Sequence, residues 1–233
     1  MKLSRNQIKL IAIITMFCDH ATKLLVSRKT EMYRIGRKVV GRMAFPLFGA
    51  LLVEGFVHTR RKERHLLLLI GLTLLSEPLH DYVLHDGWID WSKQSILVTW
   101  SLCYLMMYLF HRIHDLKLSL PTEYLIEVIL TALFGWGAYQ IHTDYSYVAV
   151  IGSALSYNVY KIDGIDSFGP IVNTAIFALL DGMFFTSWWA LLALIPMMFY
   201  RYTRSTGKFQ SILYWAYPIH LIILGVIFTF TVK

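Results

Sequence analysis

The chain is poor in charge and in cysteine. Asp, Glu, Lys and Arg make up only 16% of its 233 residues, whereas typical soluble domains carry about 25%. Hydrophobic residues account for 56%. This composition argues against an ordinary soluble domain and predicts an integral membrane protein surrounded by a lipid bilayer. The two cysteines, Cys18 and Cys103, both lie in apolar stretches, where cysteine usually packs as a small hydrophobic side chain, so we expect no disulfide.

The N-terminus has no site for signal-peptide cleavage. No small-residue motif of the Ala-x-Ala kind follows the apolar run that begins at Leu10, and Asp19 and His20 interrupt that run, so we expect the first helix to be retained. Internal repeats and low-complexity tracts are also lacking, and every connecting segment is short. Residues 1–233 are therefore predicted to form one domain, with no nucleic acid among its partners.

Apolar runs long enough to cross a bilayer recur along the whole chain. They predict an all-α fold, a polytopic integral membrane bundle of about nine transmembrane helices. The predicted helices lie near 7–26, 39–58, 66–84, 95–111, 123–141, 145–160, 168–186, 188–200 and 210–231.

The distribution of Lys and Arg predicts the orientation. Basic residues are concentrated in the N-terminal segment and in the second, fourth and eighth loops, which all fall on one side, so the positive-inside rule predicts a cytoplasmic N-terminus in the cell inner (plasma) membrane. The first loop, 27–38, breaks the rule, because its five basic residues would lie outside. Four explanations are open: the first helix is not a simple crossing, the loop folds back to bind an anion, the rule has an exception here, or the number of spans differs from nine.

Several ionisable residues interrupt the apolar helices. Asp19 and His20 are adjacent in the first helix, and an Asp inside a membrane span costs roughly 2.5–3.5 kcal/mol, so such residues are read as functional. In the second helix Arg42 lies near one end, and Glu54 and His58 share a face near the other. They predict a polar-lined cavity or, alternatively, an interfacial Arg and a Glu–His pair that closes the helix end.

Three further polar positions follow downstream. Glu77, His80 and Asp81 share one face of the third helix and could line an aqueous opening. They could also hold a divalent metal, but no paired His motif or cysteine set accompanies them, so we expect no metal site. Gln94 starts the fourth helix as a cap or as a ligand. His220, deep in the last helix, either lines the same cavity or bonds a neighbouring helix.

The order of these motifs resembles the TraX family. Asp-His ends the first span, Gly-Arg-Met-Ala-Phe-Pro-Leu-Phe opens the second and is followed by Glu-Gly-Phe and His-Thr-Arg, and Ser-Glu-Pro and Tyr-Pro-Ile-His come later. The likeness runs from about residue 8 to residue 225. It implies acetyl transfer from acetyl-CoA to the N-terminal amine of pilin, with a histidine of the first helix, matched by His20, in the reaction centre. The acceptor is left open between a peptide such as pilin and an envelope glycan.

The residues support that chemistry. Acyl transfer to an amine or hydroxyl needs a base near neutral pH, and histidine, with a pKa of about 6.5, suits this role, so His20 is the candidate general base. Neighbouring positions on a helix point about 100° apart, so Asp19 need not contact His20. It could orient His20, or it could contact Lys23 or a residue of another helix.

Guanidinium groups bind phosphates bidentately, which gives two candidate sites for the CoA phosphates. One site comprises Arg34, Arg37, Lys38 and Arg42, and the other Arg60, Arg61 and Arg64. Delivery of the donor from the cytoplasm favours the second site.

Two rival functions remain open. A proton-coupled transporter or channel would place Asp19, Glu54, Glu77 and His220 along an aqueous path. A non-enzymatic assembly factor would tolerate the loss of His20.

Overall fold

The computed structural model describes residues 2–85, 87–162, 165, 168–202 and 208–231, and these parts are almost entirely helical. The helices are α1 (Arg5–Leu25), α2 (Glu31–Tyr33), α3 (Ala44–His58), α4 (Lys62–His85), α5 (Ile96–His114), α6 (Leu120–Gln140), α7 (Ser146–Val159), α8 (Gly169–Phe185), α9 (Leu194–Met198) and α10 (Lys208–Thr231). Among the described residues, β pairing is limited to two isolated bridges, Leu3 with Tyr200 and Gln94 with Thr143. The all-α prediction is confirmed.

Each predicted helix coincides with a helical stretch of the structure, with two differences in kind. The stretch predicted as a helix over 188–200 is a 3-10 helix at Trp188–Ala193 and becomes α-helical only at Leu194. The stretch predicted as a helix over 39–58 begins in π-helical turns at Arg34–Val40 and 3-10 turns at Gly41–Met43, and becomes α-helical only at Ala44. Two glycines in these turns let α1 approach closely, because an added Cβ at Gly36 would meet Thr22 and one at Gly41 would meet Asp19. Hydrophobic periodicity cannot distinguish these turn types from an α-helix.

The long helices alternate in direction, so the bundle has two distinct ends. At the end where α1 begins, called here the N-terminal end, Leu3 donates its N–H to Phe199 and Arg5 reaches Glu54 near the end of α3. At the other end, called here the histidine end, Gln94 donates its N–H to the carbonyl of His142 and thereby ties the start of α5 to the α6–α7 connection.

The core is centred on α3, which packs against α1, α7 and α8. The ring of Phe177 from α8 fits between α3 and α7, where an added Cβ at Gly49 or Gly152 would lie 2.7 or 2.6 Å from it. Phe177 also meets the ring of Phe45 edge-on, at a centroid distance of 5.5 Å. The small residues of two helices thus determine how closely α3, α7 and α8 can pack.

Much of the outer surface is apolar. In the described part of the chain, three helical stretches are long and apolar enough to cross a membrane: Glu31–His58, Lys62–Leu84 and Ile96–His114. Shorter apolar helices cover Gly169–Phe185, Trp188–Met198 and Trp215–Phe230. Helix α6 alone leaves Leu125, Val128 and Trp136 at least 60% exposed. Both cysteines are free, as expected.

Candidate active site

Two histidines from distant parts of the chain meet near the histidine end of the bundle. His20 of α1 and His220 of α10 are 200 residues apart in sequence, yet Nδ1 of His20 lies 2.8 Å from Nε2 of His220. The two rings stack at a centroid distance of 5.0 Å and an angle of 20°. His220 is only 3% exposed, whereas His20 is half-buried. The contact brings together two residues that the sequence marked separately.

The hydrogen bonds of the pair determine which nitrogens carry protons. Nδ1 of His220 lies 3.2 Å from the carbonyl oxygen of Ala216, and a carbonyl can only accept, so this nitrogen is protonated. Nε2 of neutral His220 then keeps its lone pair and accepts the N–H of His20 Nδ1. In a neutral His20 ring the lone pair consequently lies on Nε2, to which no described residue hydrogen-bonds.

Apolar and aromatic side chains enclose this histidine pair on one side. Tyr217 meets His220 edge-on with ring centroids 4.9 Å apart. Met16, one turn before His20, is buried together with Tyr217 and Leu221. Such surroundings hold the two rings in place and keep His220 away from water.

The predicted cluster on α4 lies beside the histidine pair. One ligand atom from each of Glu77, His80 and Asp81 falls within 4.8 Å of the others, and His80 is close enough to His20 to interact with it electrostatically. The carboxylate of Glu77 accepts hydrogen bonds from the backbone N–H (2.8 Å) and hydroxyl (2.5 Å) of Ser95. The prediction that the three residues share a face is confirmed, and their geometry could accommodate a divalent cation.

These carboxylates also fasten the α4–α5 connection. Asp81 accepts the N–H of Asp90 at 2.8 Å and approaches Nδ1 of His80 at 3.3 Å. The side chain of Gln94 donates to the carbonyl of Asp90 at 3.2 Å. Gln94 is therefore part of the connection rather than a helix cap, since α5 begins only at Ile96.

Asp19 points to another helical segment and not to its neighbour His20. Its carboxylate lies 3.8 Å from the guanidinium of Arg37. An added Cβ at Gly41 would lie 2.6 Å from Asp19 Oδ1, so glycine leaves the space that this side chain occupies. The sequence allowed Asp19 to contact His20, Lys23 or another helix. The structure shows a contact with Arg37 of another helical segment.

The rest of the Gly-Arg-Met-Ala-Phe-Pro block anchors the α6–α7 connection. Arg42 donates to the hydroxyl of Tyr145 at 3.3 Å, and the Tyr145 ring stacks on Phe45 at 3.8 Å with an interplanar angle of 3°. Tyr145 has a left-handed backbone conformation, with a φ of 57°, which is uncommon for a residue other than glycine. The most specific motif of the chain thus holds the α6–α7 connection in place.

Three predicted site residues lie at the opposite end. Glu54 is 1% exposed; its carboxylate pairs with Nε of Arg5 at 3.3 Å and accepts the Tyr200 hydroxyl at 2.8 and 2.9 Å. His58 donates to the Glu54 backbone carbonyl at 2.9 Å rather than to its carboxylate. Arg60 is exposed. These residues belong to the N-terminal end and not to the surroundings of His20.

The basic residues 34–42 lie at the histidine end with differing exposure. Arg34 forms an ion pair with the exposed Glu31, and Lys38 is exposed. Arg37 and Arg42 are half-buried and make the contacts with Asp19 and Tyr145 described above.

A cavity of 160 Å³ extends between α1, α3, α4, α5 and α10. Arg5, Lys9 and His65 line it towards the N-terminal end, and Met16, Ala216 and Tyr217 line it next to the histidine pair. The other lining residues are Ile13, Phe48, Leu51, Leu52, Gly55, Leu69, Leu72, Ile96, Leu97 and Trp100. Arg5 and Lys9 belong to the basic N-terminal segment that predicts the orientation, and no local pattern around them indicates a cavity.

Comparisons with known proteins place the chain in a family. A model described as TraX protein matches residues 4–228. A curated relative, the probable fimbrial assembly protein FimC, serogroup H1, of Dichelobacter nodosus, is 30% identical over 151 residues. That match covers 60% of this chain and 62% of the relative. No solved structure matches the chain. Because the family model extends over nearly the whole sequence, the chain belongs to the TraX family.

Proposed function

We propose that this protein is a membrane-embedded acetyltransferase that moves an acetyl group from acetyl-CoA to an amine or hydroxyl acceptor. The observation that carries the proposal is the hydrogen-bonded histidine pair. His220, held by the carbonyl of Ala216, accepts the Nδ1 proton of His20 and leaves the lone pair of His20 on Nε2. A neutral imidazole with one nitrogen committed to an orienting partner has the arrangement that a general base requires.

The transfer then proceeds as a direct attack. Nε2 of His20 takes the proton from the acceptor amine or hydroxyl as its nitrogen or oxygen attacks the thioester carbonyl carbon. The new C–N or C–O bond forms, the C–S bond breaks, and the departing thiolate of CoA takes the proton back from His20. His220 stabilises the transient imidazolium of His20 by accepting its Nδ1–H throughout.

The helices would cross the plasma membrane about nine times, and the N-terminal end would face the cytoplasm. This proposal is supported by the apolar outer surface and by the basic residues that gather at the N-terminal end. Those within the described residues are Lys2, Arg60, Arg61, Lys62, Arg64, Arg112, Lys117, Lys161 and Arg201. Acetyl-CoA would then be supplied at the N-terminal end.

The acceptor would be the N-terminal amine of a pilin subunit or a hydroxyl of another envelope molecule. Membership in the TraX family and the name of the relative, a fimbrial assembly protein, both favour pilin. Either acceptor group, the amine or the hydroxyl, must lose a proton during acyl transfer, which is the step assigned to His20.

The test is thioester turnover by the purified full-length protein. With labelled acetyl-CoA and a synthetic peptide bearing a free N-terminal amine, we expect release of CoA thiol and labelled peptide. His20→Ala should lower kcat by about 10²- to 10⁴-fold, the contribution typical of a positioned general base. His142→Ala, which alters an exposed histidine of the α6–α7 connection, is the matched control and should leave kcat unchanged.

Two results would refute the proposal. Turnover that is undiminished in His20→Ala would remove His20 from the reaction. Uptake or ion conductance in vesicles, with no acetylated product, would instead identify a transporter or channel.

A further inference from the structure

A groove runs between α6 and α7 on the outer surface of the bundle. Its volume is 610 Å³, within the range of about 300–1,000 Å³ that is usual for ligand sites. Most of its lining is apolar or aromatic, and on the α6 side Val128 and Trp136 are 65% and 64% exposed. In a bilayer these exposed side chains would face lipid, so the groove is open to the hydrocarbon layer.

Two buried acceptor atoms lie at one end of this groove. Glu127 and Asn158 both line it, and neither Oε2 of Glu127 nor Oδ1 of Asn158 has a hydrogen-bond partner among the described residues. Their other polar atoms are bonded, since Glu127 Oε1 accepts from Lys161 at 2.6 Å and the Asn158 amide donates to the Ala154 carbonyl at 3.1 Å. Glu127 is only 3% exposed, and an unpaired carboxylate oxygen is costly at such a position. A bound donor group would remove that cost.

The charges at this end favour a cationic donor. Glu123 and Glu127 share one ammonium, that of Lys161, at 2.8 and 2.6 Å. His114 contacts Glu123 at 3.2 Å, so it supports the carboxylate that is already further from the groove lining. Two carboxylates around one lysine leave negative charge beside Glu127 Oε2. A primary ammonium suits this position, because it carries a positive charge and has three N–H donors.

The length of the groove corresponds to one leaflet of a bilayer. On α7 its lining extends from Tyr147 to Asn158, which are 11 residues apart, or about 16 Å at a rise of 1.5 Å per residue. The hydrocarbon core of a bilayer is about 30 Å thick, so one leaflet contributes about 15 Å. A crossing helix of a partner protein would need about twice the length of this groove. The groove therefore suits a lipid chain better than a helix.

The polar end of the groove lies where lipid headgroups are expected. Helix α7 ends at Val159, and Lys161, just beyond that end, binds Glu127. Glu127 is consequently level with the end of a neighbouring helix, although it lies inside α6. The acceptor atoms and the apolar lining are thus arranged in the same order as the headgroup and the chain of a lipid.

We propose that the groove between α6 and α7 binds a phospholipid with a primary-ammonium headgroup, of the phosphatidylethanolamine type. One acyl chain lies between the apolar side chains of the two helices, and the ammonium donates to Glu127 and Asn158. The lipid belongs to the leaflet at the N-terminal end and stabilises the packing of α6 on α7. The residues of this site take no part in the proposed acetyl transfer, so the inference does not depend on it.

Native mass spectrometry of the purified full-length protein, with added dioleoyl lipids, measures the binding. Phosphatidylethanolamine has both positive charge and N–H donors, phosphatidylcholine has the charge without the donors, and phosphatidylglycerol has hydroxyl donors and a net negative charge. We expect phosphatidylethanolamine to bind about tenfold more tightly than the other two, the usual effect of one charge-assisted hydrogen bond. Equal binding of the three lipids would overturn the proposal and leave adventitious lipid only.

Glu127→Gln tests the headgroup contact while it keeps the shape of the side chain. It should raise the Kd for phosphatidylethanolamine by about tenfold and change the Kd for phosphatidylcholine much less. Glu63→Gln, which alters an exposed carboxylate near the start of α4, is the matched control and should leave both values unchanged. An unchanged Kd for phosphatidylethanolamine in Glu127→Gln would contradict the proposal.

A second pair of variants tests the chain contact. Ala132 lines the groove, whereas its neighbour Leu133 is 56% exposed outside the lining. Ala132→Trp should fill the groove and abolish the preference for phosphatidylethanolamine, and Leu133→Trp should retain it. A preference that persists in Ala132→Trp would place the lipid elsewhere and overturn the proposal. Because His20→Ala should bind the lipid like the parent protein, lipid binding and acetyl transfer can be refuted separately.

Discussion

A hydrogen-bond partner at one nitrogen of a histidine fixes its tautomer and the orientation of its ring, and His220 provides that partner for His20. The pair depends on a single acceptor atom, Nε2 of His220, which is available because Ala216 holds the proton on Nδ1. The sequence signals only that both rings interrupt apolar helices. Their contact spans 200 residues and was not predictable, since periodicity within a helix does not determine which helices are neighbours.

Replacement of His220 separates orientation from proton transfer. We expect His220→Ala to lower kcat by about tenfold to 100-fold and to leave the KM for acetyl-CoA unchanged, because His20 keeps its ring but loses the acceptor for its Nδ1 proton. His220→Gln retains a side-chain acceptor and should recover part of the loss. An equal loss in the two variants would contradict a role through hydrogen-bond acceptance.

Adding a single methyl group at Gly41 should lower the free energy of unfolding. Gly41→Ala places a Cβ 2.6 Å from Asp19 Oδ1 and must displace that side chain from Arg37, so we expect a loss of about 1–3 kcal/mol in unfolding free energy. Gly71→Ala on α4 is the matched control. An added Cβ at Gly71 meets no atom within 4 Å, and alanine favours a helix over glycine by about 0.8–1.0 kcal/mol.

Denaturant unfolding of the purified protein in detergent measures both variants. A lower midpoint for Gly41→Ala, with an unchanged or higher midpoint for Gly71→Ala, is the expected result. Equal midpoints would show that the close approach of Asp19 to Gly41 has no effect on stability.

At the scale of helices, the ion pair at the N-terminal end joins α1 to α3. The side chains of Arg5 and Glu54 are 12% and 2% exposed, and Tyr200 also donates to the carboxylate. Removing one partner of a buried pair leaves the other charge without compensation, which costs about 3–5 kcal/mol. Glu54→Ala should therefore destabilise the protein by that amount, as measured by denaturant unfolding.

The matched control is Glu63→Ala. Glu63 lies exposed in the first turn of α4, where its carboxylate accepts the Tyr108 hydroxyl, so its loss should be small. A similar loss of unfolding free energy in the two variants would mean that the burial of Glu54 does not contribute to the stability of the protein.

The positions of the helices were predictable from the sequence. Which polar residues lie at which end of the bundle was not. Apolar runs located every long helix, and the spacing of Glu77, His80 and Asp81 correctly placed them on one face, because both are local properties of a 3.6-residue repeat. Glu54 and His58 also share a face, yet they lie at the opposite end from His20. Direction alternates from helix to helix, and a polar residue near the end of α3 is therefore distant from one near the end of α1.

The whole molecule has a donor side and an acceptor side only if its two ends face different compartments. Positive-inside counting favours a cytoplasmic N-terminal end, because several separate chain segments bring Lys and Arg there, whereas loop 27–38 at the other end is one segment. Arg28 lies in that loop and Arg61 in the connection after α3, and both are exposed. A single crossing by α3 would place them on opposite sides.

Cysteine labelling tests this arrangement. In a chain with Cys18→Ala and Cys103→Ala, a membrane-impermeant maleimide should modify Arg28→Cys in right-side-out vesicles and Arg61→Cys in inverted vesicles. The reversed pattern would put the histidine end in the cytoplasm. The donor would then meet the basic residues 34–42 first, and acetyl-CoA would not be supplied at the N-terminal end. Labelling of both from one side would mean that α3 does not cross.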